Sequence, residues 1–307
     1  MVERSSRGKG KQKLLDNHQR CWLWGRNLVR ETLAADRWPI LELFLAADLP
    51  PDLLEPAMQQ AQACGIECQV WDRDRLQRLS HTAEHQGFLA KMGPYPYQPV
   101  ESILEATLKG PGELRAAAGQ DGESPATLPQ EALVAEELPS APPLYLILDA
   151  IQDPYNFGAM LRSAGAFGVS GVFIGHHRQV PVTSLVARSS AGVVNHLAIG
   201  QTNDLPHLAE TLRQRGVRVI GAAGGAAVPL TECNFRKATA IVIGNEGDGI
   251  SPLLLSRCDQ LARIPLHRSV ESLNAAAAAA VFFFEANRQR GERELSAAAG
   301  QRSLPSD

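Results

Sequence analysis

Three short segments hold polar side chains suited to chemistry, each set where alternating strands and helices deliver residues to a ligand. The first, DAIQDPYNFGAMLRSAGAFG from Asp149, follows an apolar strand pattern and contains Asp153, Asn156 and Arg162. A helix from Pro154 to about Gly168 suits it, with proline in the first turn and glycine at the end. Strand ends of this kind are where parallel sheets collect ligands. On these residues alone, Asp153 or Asn156 reads equally as a helix cap and Arg162 as a solvated side chain. The second segment, AIVIGNEGDGIS, sets Asn245 and Glu246 among Gly244, Gly247 and Gly249 directly after an apolar strand. Glycines there let the backbone approach a bound molecule, although a plain turn into a helix at Ser251 and Pro252 has the same spelling. The third, ARIPLHRSVESLNAAAA, puts Ser272 and Asn274 just before the last helix, where either could be only its N-cap.

The elements that must position these segments are legible in outline. From Leu144 onward, LYLILDA, GVFIG, VRVIGAA, AIVIGNE and LARIPL are short apolar runs separated by helical or loop stretches, the pattern of a parallel sheet flanked by helices. NAAAAAAVFFFEANRQR predicts a final helix over about 274–290, from its helix formers and basic end. Upstream, GRNLVRETLAA and LLEPAMQQAQACG read as helices and ILELFLA and ECQVW as strands, so residues 21–98 form a small α/β unit. Residues 99–143, rich in Pro, Gly and Ala and acidic, read as a linker. The first 20 residues form a basic tail expected to be disordered, and residues 292–307 a second loose tail.

A chain of 307 residues exceeds one ordinary hydrophobic core and favours two domains. No apolar run reaches membrane-spanning length and none follows the basic tail as a signal peptide requires, which points to a cytoplasmic protein. Five cysteines without CxxC spacing argue against a disulfide framework and against a zinc site, so no metal is expected. The net charge of −3 divides into +4 for the tail, −4 for residues 107–143 and −3 elsewhere. Any contact with a polyanion must therefore come from local patches.

Taken together, the three segments resemble the signature motifs of the SpoU, or TrmH-like, family of RNA 2′-O-ribose methyltransferases. Asp153, Pro154, Asn156, Gly158, Arg162, Ala164, Phe167 and Gly168 carry the first motif; Ile243, Gly244, Asn245, Glu246 and Gly247 the second; Ile264, Pro265, Ser272, Leu273 and Asn274 the third. SSAGVVNHL from Ser189 is similar to an intermediate segment of the family, and WGRNLVRETL and HQGFLAKM resemble the substrate-binding domain of its members that act on guanosine of 23S ribosomal RNA. The chain departs from the third motif at two places, with Arg268 where the family has a glycine and Ala275 where it has a valine.

The resemblance implies an α/β fold in which residues 144–291 form a parallel-sheet domain with a deep trefoil knot, an exception to the rule against threaded loops. It implies an enzyme that uses S-adenosylmethionine, held by Ala222, Ala223, Gly224, Ile243, Gly244, Asn245, Gly247, Ile264, Leu266, Ser272, Leu273 and Asn274. Asn156, Arg162, Glu246, Ser272 and Asn274 become the candidate catalytic set. Residues 21–98 become an RNA substrate-binding domain, with Arg26, Asn27, His85 and Gln86 as candidate contacts that could equally be structural hydrogen-bonding residues. Ribosomal RNA and a second copy of the chain are the implied partners. A sulfonium methyl is already activated, so the protein must mainly align the 2′-hydroxyl and help it lose its proton. Arg162 beside that hydroxyl reads better as a phosphate clamp than as a base, because a neutral guanidine is costly. Three alternatives stand beside this reading: a methyltransferase of transfer RNA, a noncatalytic RNA-binding protein on the same scaffold, and a nucleotide-dependent oxidoreductase. GAAGG at Gly221 lacks the glycine spacing the last would need.

Overall fold

A computed structural model describes residues 21–108, 141–270 and 272–301. The basic tail of residues 1–20, residues 109–140 of the expected linker and the end of the second tail lie outside the described residues. Two sheets organise the rest. The smaller contains β1 (Trp22–Trp24), β2 (Ile40–Ala46), β3 (Glu67–Trp71) and β4 (Phe88–Met92), with helices α1 (Arg26–Ala35), α2 (Pro51–Ala63) and α3 (Arg73–Ser80) between them. Its order is β1-β4-β2-β3, with β2 and β3 parallel and the other pairs antiparallel. β2 and β3 match the expected runs residue for residue. β1 and β4 escaped the sequence reading because β1 spans only three residues and β4 buries four of its five, leaving no alternation to detect.

The larger sheet is wholly parallel and seven-stranded, as the apolar runs predict. It contains β5 (Leu144–Asp149), β6 (Gly171–Gly175), β7 (Ile199–Thr202), β8 (Arg218–Ala222), β9 (Val228–Pro229), β10 (Thr239–Gly244) and β11 (Gln260–Arg263). The order is β7-β6-β5-β10-β8-β11-β9. β5 shows why the central strands read as continuous apolar runs. Leu144, Leu146 and Leu148 enter one core and Tyr145 and Ile147 the other, because both faces are covered. The first core holds α5 (Pro154–Ala166), α6 (Ser184–Ser189) and α9 (Ala275–Gln301); the second holds α4 (Val100–Leu108) and α7 (Leu205–Gln214). A short α8 (Pro252–Leu255) precedes β11.

Two expected boundaries are corrected. The linker does not begin at residue 99, because Ile103 and Leu104 of α4 bury a helical stripe against the large sheet. Gly171 and Gly200 leave room for Ile103 there, and the Gln98 amide donates to the Ile199 carbonyl at 2.9 Å. The final helix does not stop near Arg290 but runs to Gln301. A single glycine at 291 costs only about 1 kcal/mol against alanine, too little to end a run of helix formers.

Candidate active site

β10, β8 and β11 lie side by side, so the loops leaving their C-terminal ends converge, and the start of α9 closes the space between them. The result is a cavity of about 470 Å³. Ala222, Ala223 and Gly224 line it from β8, Ile243, Gly244, Asn245, Glu246 and Gly247 from β10, and Ile264, Leu266, Ser272 and Leu273 from the segment after β11. Every expected cofactor residue except Asn274 is therefore a wall of one cavity. Sequence reasoning missed Asp248 and Ile250, and also Ala275, Ala278 and Phe282. Ala275, Ala278 and Phe282 stand at i, i+3 and i+7 on one face of the last helix, a signal that could have found them.

Local chemistry shapes the glycine loop. A Cβ on Gly244 would collide with the backbone of Gly249 and Ile250, because the loop doubles back on itself. The Asn245 amide donates to the Gly249 carbonyl at 3.0 Å and the Gly249 amide returns a bond at 2.9 Å. The Asn245 side chain locks the turn: its Oδ1 accepts from the Gly247 amide at 2.8 Å and its Nδ2 donates to the Ala150 carbonyl at 2.8 Å. Asp149 accepts from the Ser251 amide at 2.7 Å, tying the end of β5 to the end of that turn. Arg178 pairs with Asp248 at 2.7 Å.

Residues of all three motifs meet at the rim. Asn156 Nδ2 donates to Glu246 Oε1 at 2.5 Å, and Asn274 Nδ2 donates to Asn156 Oδ1 at 2.9 Å. Asn274 Oδ1 also accepts from the Ala276 amide at 2.9 Å, so one residue caps α9 and holds the rim. Asp153 is the cap of α5, accepting from the Tyr155 amide at 2.9 Å, which frees Asn156 for its two side-chain partners. Arg162 is exposed on α5, with no ion pair or hydrogen bond among the described residues, and is not a wall of the cavity.

The candidate RNA residues divide. Arg26 and Asn27 are exposed at the start of α1, where Gln86 Oε1 accepts from the Arg26 amide at 3.2 Å and so supplies the cap that Gly25 cannot. His85 is buried, and its Nδ1 accepts from the Gly87 amide at 3.0 Å. Its burial removes it from the surface and pushes its pKa down.

Comparison with known proteins gives the family. Residues 143–284 match the model of the SpoU rRNA Methylase family, and residues 22–98 match that of RNA 2′-O ribose methyltransferase substrate binding. The 23S rRNA (guanosine-2′-O-)-methyltransferase RlmB of Photobacterium profundum is 31% identical over 87% of this chain and 97% of its own. The chain belongs to the SpoU family. An uncharacterised tRNA/rRNA methyltransferase of Synechocystis is 30% identical over 88% of the chain, which spans 62% of that relative's length. The SpoU methyltransferase AviRb of Streptomyces viridochromogenes, solved in complex with the cofactor AdoMet, superposes with a TM-score of 0.67 at 21% identity, covering 94% of this chain and 98% of that one. The two share a fold. Among the described residues of the SpoU chain, no helix is long and apolar enough to cross a membrane.

Proposed function

We propose that this chain transfers the methyl group of S-adenosylmethionine to a ribose 2′-hydroxyl of RNA, with a guanosine of 23S ribosomal RNA as the target. One observation carries the reading: the hydrogen-bonded line Asn274–Asn156–Glu246 at the rim of the cavity joins all three motifs. The cavity's 470 Å³ falls in the range of small-molecule sites, roughly 300–1,000 Å³. Its lining fits the cofactor. Ile243, Ile264 and Phe282 offer apolar walls to a flat base, and the Glu246 carboxylate, with no cationic partner among the described residues, favours a cationic ligand. Bound there, S-adenosylmethionine supplies a methyl group already activated by its sulfonium.

The chain's own residues then orient the RNA. Asn156 is held from both sides, so the rim keeps one shape as substrate arrives, and Ser272 completes the adjoining wall. Arg162, exposed and without a partner among the described residues, grips an RNA phosphate through its planar fork of donors. Its role is to position the hydroxyl, because a neutral guanidine is costly as a base. In this reading residues 144–291 hold the cofactor in loops threaded as a trefoil knot, and residues 21–98 bring RNA through the corner of Arg26, Asn27 and Gln86.

The active form is a homodimer. Tyr155 and Arg162 are seven residues apart and share one face of α5, and Tyr155 is 63% exposed. Phe284 of α9, 56% exposed, meets Phe167 edge to face at 6.4 Å. A second copy packed over Tyr155 or over Phe284 covers an apolar side chain that water otherwise wets. Light scattering is expected to find a dimer at micromolar concentration; a fully active monomer contradicts it. For the reaction, calorimetric titration with S-adenosylmethionine and with NAD, followed by mapping of methylated riboses in ribosomal and transfer RNA from a deletion strain, decides. Binding of NAD alone, or an unchanged methylation map, ends the reading.

A further inference from the structure

The segment Ser184–His196, which holds all of the family-like SSAGVVNHL except its last residue, lines no part of the cavity. Its two sides face different domains. On one side it lies against α5, the helix of Asn156 and Arg162. A Cβ on Gly158 would collide with Ser189 Oγ, and a Cβ on Gly165 with Val193. These glycines are seven residues apart and share a face, so α5 presents a groove into which the segment settles. Ser189 Oγ donates to the Leu185 carbonyl at 2.8 Å and lies 3.2 Å from the Pro154 carbonyl at the start of α5.

On the other side the same residues hold the small sheet. Asn195 Nδ2 donates to Thr32 Oγ1 of α1 at 2.9 Å, with both residues buried. The Thr32 hydroxyl spends its own proton on the Leu28 carbonyl at 2.9 Å, so its oxygen is left to accept. Tyr95 donates to the Val194 carbonyl at 3.0 Å, His196 meets Glu31 at 2.9 Å, and the Arg188 guanidinium stacks over Trp24 at 4.1 Å. Gly192, with φ +84°, brings the backbone so close to Glu31 that a Cβ would strike its carboxylate.

A polar bond buried between two domains is costly to leave half made, so it fixes one docking register. We infer that Asn195 and Thr32 are positioning residues: through Ser184–His196 they set the substrate-binding sheet at a fixed place on the catalytic helix, and that spacing selects which ribose reaches the cavity. Only the choice of ribose rests on the proposed function. The docking itself does not.

The test uses the intact chain as wild type, Thr32→Val, Asn195→Ala and Thr32→Ser. Hydrogen exchange of amides 29–33 and 193–197 reads the docking without RNA. Single-turnover methyl transfer to an unmodified 23S ribosomal RNA transcript, with reacted riboses mapped, reads the selection. In Thr32→Val and Asn195→Ala both amide groups should exchange about tenfold faster, with S-adenosylmethionine affinity within about twofold of wild type. In steady-state assays on the same transcript KM should rise about tenfold while kcat stays within about threefold, and methylation should spread to neighbouring riboses. Thr32→Ser keeps the hydroxyl and should restore all of these. Unchanged protection in Thr32→Val and Asn195→Ala overturns the docking; faster exchange with KM and the methylation map unchanged overturns the selection. A wild-type chain that methylates no RNA overturns the proposed function and the selection with it, while exchange still decides the docking.

Discussion

In the large sheet, residues 156, 246 and 274 come from three distant segments and meet in one line of hydrogen bonds; in the small sheet, four residues proposed together do not stay together. Arg26, Asn27 and Gln86 gather at one corner, and His85 faces inward. The two regions differ in what else the residues have to do. Asp153 already caps α5 and Asn245 already locks the glycine turn, so Asn156 and Glu246 are spared local duties. In the small sheet the polar residues are the local duties. Gln86 caps α1 and His85 holds the turn at Gly87. A polar residue beside another that already satisfies the backbone is a better candidate for function than one that stands alone at a turn.

The contrast breaks hardest at Arg162, the catalytic candidate that resembles the surface arginines of the small sheet. Arg162→Ala should lower single-turnover methyl transfer by about 10²- to 10⁴-fold, the range for loss of a positioned group, with cofactor affinity intact. Arg162→Lys should recover little, because an ammonium keeps the charge without the two-pronged grip. A wild-type rate in Arg162→Ala would place it with the solvated side chains and leave the rim alone as the catalytic set. Next comes Asn156→Ala. It removes the middle of the rim without touching the apolar lining, so transfer should fall about 10- to 100-fold while the affinity for S-adenosylmethionine moves less than about threefold. Equal losses in rate and affinity would make Asn156 part of the cofactor site instead.

Glycine packing sharpens the comparison within the cavity. Gly244→Ala drives a Cβ into the Gly249 backbone and should destabilise the fold by about 1–3 kcal/mol and weaken cofactor binding, whereas the added Cβ of Gly224→Ala meets nothing within 4 Å and should leave thermal stability alone. Equal melting temperatures in the two variants would show that the turn relaxes at little cost.

These cases also mark what was legible in the chain. The parallel sheet was readable because buried parallel strands are apolar on both faces, and the cavity through the resemblance of the segments beside those strands to a known family's motifs. Strands β1 and β4 were not, because pairs such as Trp22 with Lys91 are made across nearly the whole domain and leave no local pattern. Nor was α4: Pro, Gly and Ala downstream drowned the stripe of Ile103 and Leu104. Docking through Asn195 and Thr32 was unreadable for the same reason, since neither residue is unusual until the other is opposite it.

The smallest expected effect tests whether His85 belongs to the structural side of the comparison. It is buried, and its Nδ1 can accept from the Gly87 amide only while the ring nitrogen is unprotonated. Burial, the largest cause, and the nearby Arg73 charge hold its pKa below the ordinary value of 6.5, with Asp48 opposing them. The folded chain therefore binds a proton less readily than the unfolded chain. Stability from this residue is complete above about pH 6.5 and is lost as the pH falls below that value toward the lower folded pKa. His85→Asn keeps an acceptor near the position of Nδ1 and cannot titrate. Thermal unfolding between about pH 7.5 and 5.5 should show the wild type losing stability on acidification more steeply than His85→Asn. Parallel slopes would mean that His85 titrates alike in both states. In that case it is reached by water, and it returns to the corner of Arg26, Asn27 and Gln86 as a residue RNA can touch.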